Sequence, residues 1–247
     1  MRRPTLAATA AVTVIALAVL TGCDGGSDGG SVDRSAPSAG SATQTALDPA
    51  DFDPAAAVAR ASKEPYAVSI RATTEPLILT VTARQNFNTE VPTGRQERKV
   101  GGTTREVVIT ADGQYHRIDG PGGPWRKTPI PMPSIAKEFD LTGYAPALLS
   151  LGPAARKGME TRDGVPVFHL SGHLDLEHLA KVSALARDDV ESSGATGIDL
   201  DQWIDVQGRT RYAEKRMVVD GAPIVLTMAF GDYGPPETVD APTVTTV

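Results

Sequence analysis

From position 209 to position 233 the chain reads RTRYAEKRMVVDGAPIVLTMAFGDY. Asp220 and Gly221 interrupt two runs of strand-forming residues, and this residue pair accepts the positive backbone angles of a tight hairpin turn. The stretch therefore predicts two antiparallel strands, 209–219 and 222–233. The same grammar recurs outward from it. Gln207 and Gly208 attach a further strand, 198–206; Asp163 and Gly164 join 158–162 to 165–171; Asp112 and Gly113 join 105–111 to 114–118. Upstream, Tyr66, Val68, Ile70 and Ala72 alternate with Ala67, Ser69, Arg71 and Thr73, the period of a strand with one wet face, and 77–87 repeats it. The polar, glycine-containing segment 94–104 reads as a long turn or a mobile edge.

Helical spacing interrupts these strands. Asp53 is placed to cap a helix that begins with Pro54 and stops before Pro65. Residues 134–151 suggest one or two short, broken helices around Gly143 and Pro146. Residues 175–189 read as a single amphipathic helix, capped by Asp175, with Leu176, Leu179, Val182, Leu185 and Ala186 on one stripe. With no fixed repeat and no βαβ winding, the expected fold is α+β: a single curved antiparallel sheet, a half-barrel, with helices packed on its concave face.

The 247 residues are 40% hydrophobic and 22% charged, ordinary globular usage that excludes a polytopic membrane protein, a collagen or a wholly disordered chain. A formal charge of −6 has the wrong sign for phosphate neutralisation, so no nucleic acid is expected as a partner. The single cysteine excludes an internal disulfide and a multi-cysteine metal centre.

That cysteine is explained by its surroundings. Arg2 and Arg3 precede an uncharged, apolar run from Pro4 to Leu20, the pattern of an export signal spanning 1–22. Leu20, Thr21, Gly22 and Cys23 then form a lipobox, which predicts a diacylglycerol on Cys23 and a chain exported and anchored to the outer face of the cytoplasmic membrane. Residues 23–53 carry Asp24, Asp28, Asp33, Asp48, Asp51 and Asp53 against Arg34 alone, amid Gly, Ser and Ala. Such a segment reads as a disordered acidic tether, with a span of roughly 30 Å at ~5–6 Å times the square root of its length. The folded, ligand-binding domain is then 54–247.

The lipobox, the acidic linker, the helix before the strand at Tyr66, the phrase from Asp112 through Tyr115 to Pro124 and Trp125, the Trp203-Ile204-Asp205 turn approach, and the closing run 230–235 with a late Pro242 together resemble the mycobacterial LppX and LprG lipoprotein family. That family is related in fold to the LolA and LolB lipoprotein carriers. The resemblance implies a half-barrel wrapped around helices, an apolar cavity holding acyl chains, and lipid or glycolipid carriage at the cell envelope. On this carrier reading the cavity is lined by Val68, Ile70, Leu79, Val81, Val107, Ile109, Leu148, Leu149, Phe168, Leu170, Leu226 and Met228, each of which fits a plain packed core equally well. The alternative is an envelope sensor or interaction module that uses the same fold to dock another envelope protein.

Catalytic patterns are absent from the folded part: it has no G-x-S-x-G elbow, no H-E-x-x-H and no phosphate loop, so no enzyme activity and no cofactor are expected. His169 and His173 on one strand face would stand about 13 Å apart at ~3.3 Å per residue, too far to share a metal, and none is expected. Asp199, Asp201 and Asp205 share one strand face with Trp203, which makes that face either covered or a contact surface. Replacing Cys23 with Ala is expected to abolish lipid attachment and signal processing. Maturation of the variant to wild-type size, with membrane retention in high salt, would contradict the lipobox.

Overall fold

A computed structural model of the chain describes residues 51–118, 122–128 and 137–244; the signal segment 1–22, Cys23 and the tether to residue 50 lie outside the described residues. The strands are β1 (Tyr66–Glu75), β2 (Leu79–Phe87), β3 (Thr93–Val100), β4 (Thr103–Thr110), β5 (Gly113–Ile118), β6 (Arg126–Thr128), β7 (Arg156–Arg162), β8 (Val165–Asp175), β9 (Gly197–Asp205), β10 (Thr210–Val219) and β11 (Ala222–Gly234). The helices are α1 (Pro54–Ala61), α2 (Tyr144–Ser150), α3 (Leu176–Val182) and α4 (Ala184–Ser192), with a 3₁₀ turn at Pro153–Ala155. All eleven strands form one antiparallel sheet in the order β6-β5-β4-β3-β2-β1-β11-β10-β9-β8-β7. Each half of the chain is a meander, and pairing of β1 with β11 joins the two wings. The edges β6 and β7 do not meet, so the sheet is unclosed.

Turn chemistry accounts for this meander. Asp163 and Gly164 adopt φ 49° and 76°, and Asp220 and Gly221 φ 50° and 79°, as expected of Asp-Gly hairpins. The first hairpin is displaced by one residue from its expected position. Thr110 pairs with Gly113, so the loop is Ala111 and Asp112, and neither takes a positive φ. Its stabilisation comes instead from the Asp112 carboxylate, which accepts from the Thr110 hydroxyl, from Tyr115 Oη at 2.9 Å and from Lys127 Nζ at 2.8 Å.

Two other expectations are corrected. Residues 94–104 are neither turn nor edge: they supply most of β3 and the start of β4, joined by Gly101 and Gly102 at φ 53° and 87°. Apolar alternation is missing there because Gln96 and Arg98 occupy the inward phase, and Arg98 is held by both oxygens of Glu138 at 2.9 and 3.0 Å. The expected helix 175–189 is two helices. Ser183 is extended (φ −169°, ψ 154°), and its Oγ accepts from the Ala186 N–H at 3.0 Å, which makes it the cap of α4.

The helices pack on the concave face. Ile70, Ala72, Val81, Leu174, Leu200, Ile204 and Phe230 from the sheet join Phe139, Leu141, Leu179 and Val190 in one buried cluster. Val81 on β2 and Leu170 on β8 both belong to it, yet would lie about 24 Å apart on a flat sheet at ~4.8 Å per strand. Curvature brings both to one helical layer. At the N-terminal end Asp53 accepts from the Ala55 and Ala56 N–H groups at 2.9 and 3.2 Å, and the Phe52 ring packs 5.5 Å from Phe168.

Helix α1 lies tightly against the turn before β10. A Cβ on Gly208, at φ +84°, would lie 2.2 Å from the Ala57 carbonyl carbon, whereas Gly164, at φ +76°, faces open space. Gly164→Ala is therefore expected to cost only the left-handed penalty, about 1–2 kcal/mol. Gly208→Ala adds overpacking of about 1–3 kcal/mol to that penalty. Urea unfolding compares the two; equal losses would contradict a close approach of α1.

Candidate functional site

The start of α2, the joint between α3 and α4, and strands β9 to β11 enclose a partly open cleft of about 270 Å³. Its floor is Ile198, Lys215, Met217 and Leu226, and its roof is Val182, Leu185, Ala186 and Val190. The break at Ser183 positions that roof, since a continuous helix would run straight past the sheet. Gly143 forms the adjoining wall, where a Cβ would lie 2.9 Å from Val182 Cγ1, so glycine lets α2 start against the end of α3.

Two lysines line this cleft, the exposed Lys137 at its rim and the buried Lys215 in its floor. Lys215 is only 9% exposed, donates to Tyr144 Oη at 3.2 Å, and lies 4.3 Å from the centre of the Tyr144 ring. Glu138 on the rim is occupied by Arg98, and Asp140 accepts from the Thr142 N–H at 3.1 Å. Partial burial raises the Asp189 carboxyl above its ordinary value, and the charge of Lys215 opposes that rise.

Of the residues expected to line a cavity, Leu226 lies on the cleft wall. Val68, Ile70, Val81, Leu148, Phe168, Leu170 and Met228 are packed in the main core cluster, with Leu79, Leu149 and Leu226 at its margin. Val107 and Ile109 are buried on the inner face of β4, outside that cluster. Sequence reasoning missed Lys215, Tyr144 and Met217. A charged residue in the inward phase of β10 was the available signal, obscured by the consecutive charges Glu214, Lys215 and Arg216.

A second hollow, about 480 Å³, lies at one end of the sheet between Arg60, Glu64, Tyr66, Arg209 and Tyr233. Its walls are polar, and Arg209 already stacks 4.7 Å over Tyr233. Burial first of all pushes the Tyr66 phenol there up to about 12. This chemistry suits water better than an apolar ligand.

Three of the four histidines each meet an aspartate, two on the outer face of β8 and β9 and one at the start of α3. His169 meets Asp201 at 2.7 Å, His173 meets Asp199 at 2.8 Å, and His178 meets Asp175 at 2.8 Å. Among the described residues no three His, Cys, Asp or Glu side chains gather to hold a metal. Asp205 is buried and caps its turn through the Gln207 and Arg209 N–H groups, both at 2.9 Å. Trp203 is covered rather than wet: His169 stacks on it at 4.4 Å, Arg162 lies 4.1 Å above its ring, and its Nε1 donates to Glu160.

Burial works to raise the Asp201 carboxyl, but hydrogen bonds from Ser171, Arg216 and His169 outweigh it and hold the group below its ordinary value. A depressed carboxyl contributes stability above its unfolded pKa and loses it as pH falls through the folded one. Asp201→Asn is thus expected to destabilise at pH 7 by roughly 1–3 kcal/mol, the worth of hydrogen bonds to a charged group. The gap to the parent should close as pH drops below about 4; a pH-independent gap in thermal unfolding would contradict the pairing.

No family model matches the chain, and no curated protein matches it. Solved structures similar to it include the crystal structure of LprF from Mycobacterium bovis, 16% identical, covering 77% of this chain and 98% of that one with a TM-score of 0.49. A putative outer membrane lipoprotein-sorting protein domain from Vibrio parahaemolyticus is 10% identical, covering 76% and 93% with a TM-score of 0.26. Both likenesses are remote, and the architecture described above stands on the chain's own strand pairing.

Proposed function

We propose that the protein is an exported envelope lipoprotein, anchored through Cys23 at the outer face of the cytoplasmic membrane, that holds the apolar part of an amphiphile in the cleft between α2–α4 and β9–β11. The observation that supports this reading is the cleft itself, where the helical layer stands off the sheet and leaves Ile198, Met217, Leu226, Val182 and Leu185 facing unfilled space. Its 270 Å³ lies just under the ~300–1,000 Å³ usual for small-molecule sites, which suits one acyl chain better than a multi-acyl glycolipid. Burying six methylenes there would contribute roughly 5 kcal/mol before ordering costs, at ~0.8 kcal/mol each. Met217 adds an adaptable wall, since its thioether arm is unbranched and polarizable. A tether spanning roughly 30 Å would let the loaded domain leave the bilayer surface without detaching, which is the geometry a shuttle needs.

Organic extraction of the purified chain from residue 24, which retains every described element, followed by mass spectrometry, tests the reading together with uptake of a fluorescent fatty-acid probe. Met217→Trp and Leu226→Trp are expected to fill the cleft, leave folding intact and weaken probe uptake at least tenfold. Val68→Phe, in the packed core, is expected instead to destabilise by about 1–3 kcal/mol. A parent protein that yields no extractable amphiphile and takes up no probe would contradict the proposal.

A further inference from the structure

Lys215 is out of place in an apolar floor. It occupies the inward phase of β10 between Ala213 and Met217, opposite Leu200 on β9 and Leu226 on β11. Burial strips its ammonium of water, which is unfavourable unless an opposite charge or several hydrogen bonds replace that water. Among the described residues its close polar partner is the Tyr144 phenol at 3.2 Å, with the face of the same ring at 4.3 Å. The acids nearby do not take that role: Glu138 is committed to Arg98, Asp140 caps the Thr142 N–H, and Asp189 stands exposed at the rim. Because Lys215 donates to the phenol oxygen, the phenol's own proton is free to point at a second acceptor inside the cleft.

Resting on the binding reading above, we propose that Lys215 and Tyr144 form an anion subsite, which receives the singly charged carboxylate head of a single-chain amphiphile while its chain lies against Met217, Leu226 and the α3–α4 roof. The ammonium, which feels Asp189 without a direct salt bridge to it, gains a charge partner in contact, and the phenol donates a second hydrogen bond to the same head. The rim sets Asp140 and Asp189 against the exposed Lys137, with Glu138 already neutralised by Arg98, so a second negative charge on the head would face the acids unmatched, and a carboxylate fits better than a phosphate monoester. The ligand class is thus a fatty-acid-like monoanion.

Calorimetric titration of the chain from residue 24 with dodecanoate, dodecanol, dodecyl phosphate and acetate, each below its micelle concentration at pH 8, tests this. Dodecanoate is expected to bind at least tenfold more tightly than dodecanol, with dodecyl phosphate weaker than dodecanoate and acetate showing no binding. Lys215→Met should bring dodecanoate and dodecanol within twofold of each other while leaving dodecanol unchanged, and Lys215→Arg should keep the preference. A Lys215→Met melting temperature no lower than the parent's shows that the loss is one of recognition. Equal binding of dodecanoate and dodecanol by the parent would overturn the anion subsite while leaving the apolar cleft standing. A preference that survives Lys215→Met would overturn it as well, and tighter binding of dodecyl phosphate would overturn the single-charge assignment. Binding of neither chain would overturn the cleft reading itself.

Discussion

An eleven-stranded sheet with one apolar face has far more surface to hide than the four short helices found among the described residues can cover. The helices have 7 to 9 residues each, and so reach only about 10–14 Å at ~1.5 Å per residue. Curvature is the first response, drawing β2 and β8 onto one helical layer and burying Leu148, Leu170, Leu179 and Leu200 completely. Incomplete coverage is what remains. Where α3 gives way to α4 at Ser183 the layer lifts from β9–β11, and the space beneath is the cleft. Among the described residues, the break between α3 and α4 is thus what opens the site.

The two faces of the sheet divide the work. On the concave side two buried polar side chains, Lys215 and Gln202, are tied to Tyr144 and to Thr210, the latter at 2.7 Å. On the convex side, charges pair across and along strands: Arg216 of β10 reaches Asp201 on β9 and Glu214 on its own strand, Arg117 meets Glu106, and the segment after β11 is pinned by Arg84 to Glu237 at 2.5 Å. The more exposed of these, Arg84–Glu237, adds little stability by itself, whereas the pairs of the half-buried Asp201 add more. Their consequence is a charged, hydrated outer surface opposite the apolar concave face.

Much of the fold was legible because it rests on local signals. The Asp-Gly pairs at 163–164 and 220–221 need only two residues to specify a turn, and the alternation from Tyr66 to Thr73 needs only eight to mark a strand. What escaped was specified either by a partner distant in sequence or by a local cap masked by its neighbours. β3 reads as polar because Arg98 faces Glu138, forty residues away, and the Ser183 cap is hidden inside an unbroken apolar stripe. The site was harder still: alternation marks Val68, Ile70 and Leu170 as inward, but inwardness does not separate a packed position from one that faces empty space. That distinction depends on where the helical layer stops, and Leu226 alone of the expected lining residues falls beyond its edge onto the cleft wall.

X-ray diffraction can find the proposed acyl chain directly. Crystals of the chain from residue 24 grown with a fatty acid brominated near its methyl end should show an anomalous bromine peak between Met217, Leu226 and the α3–α4 roof. A peak elsewhere, such as among Val107 and Ile109 on β4, or an empty cleft at saturating ligand, would contradict it.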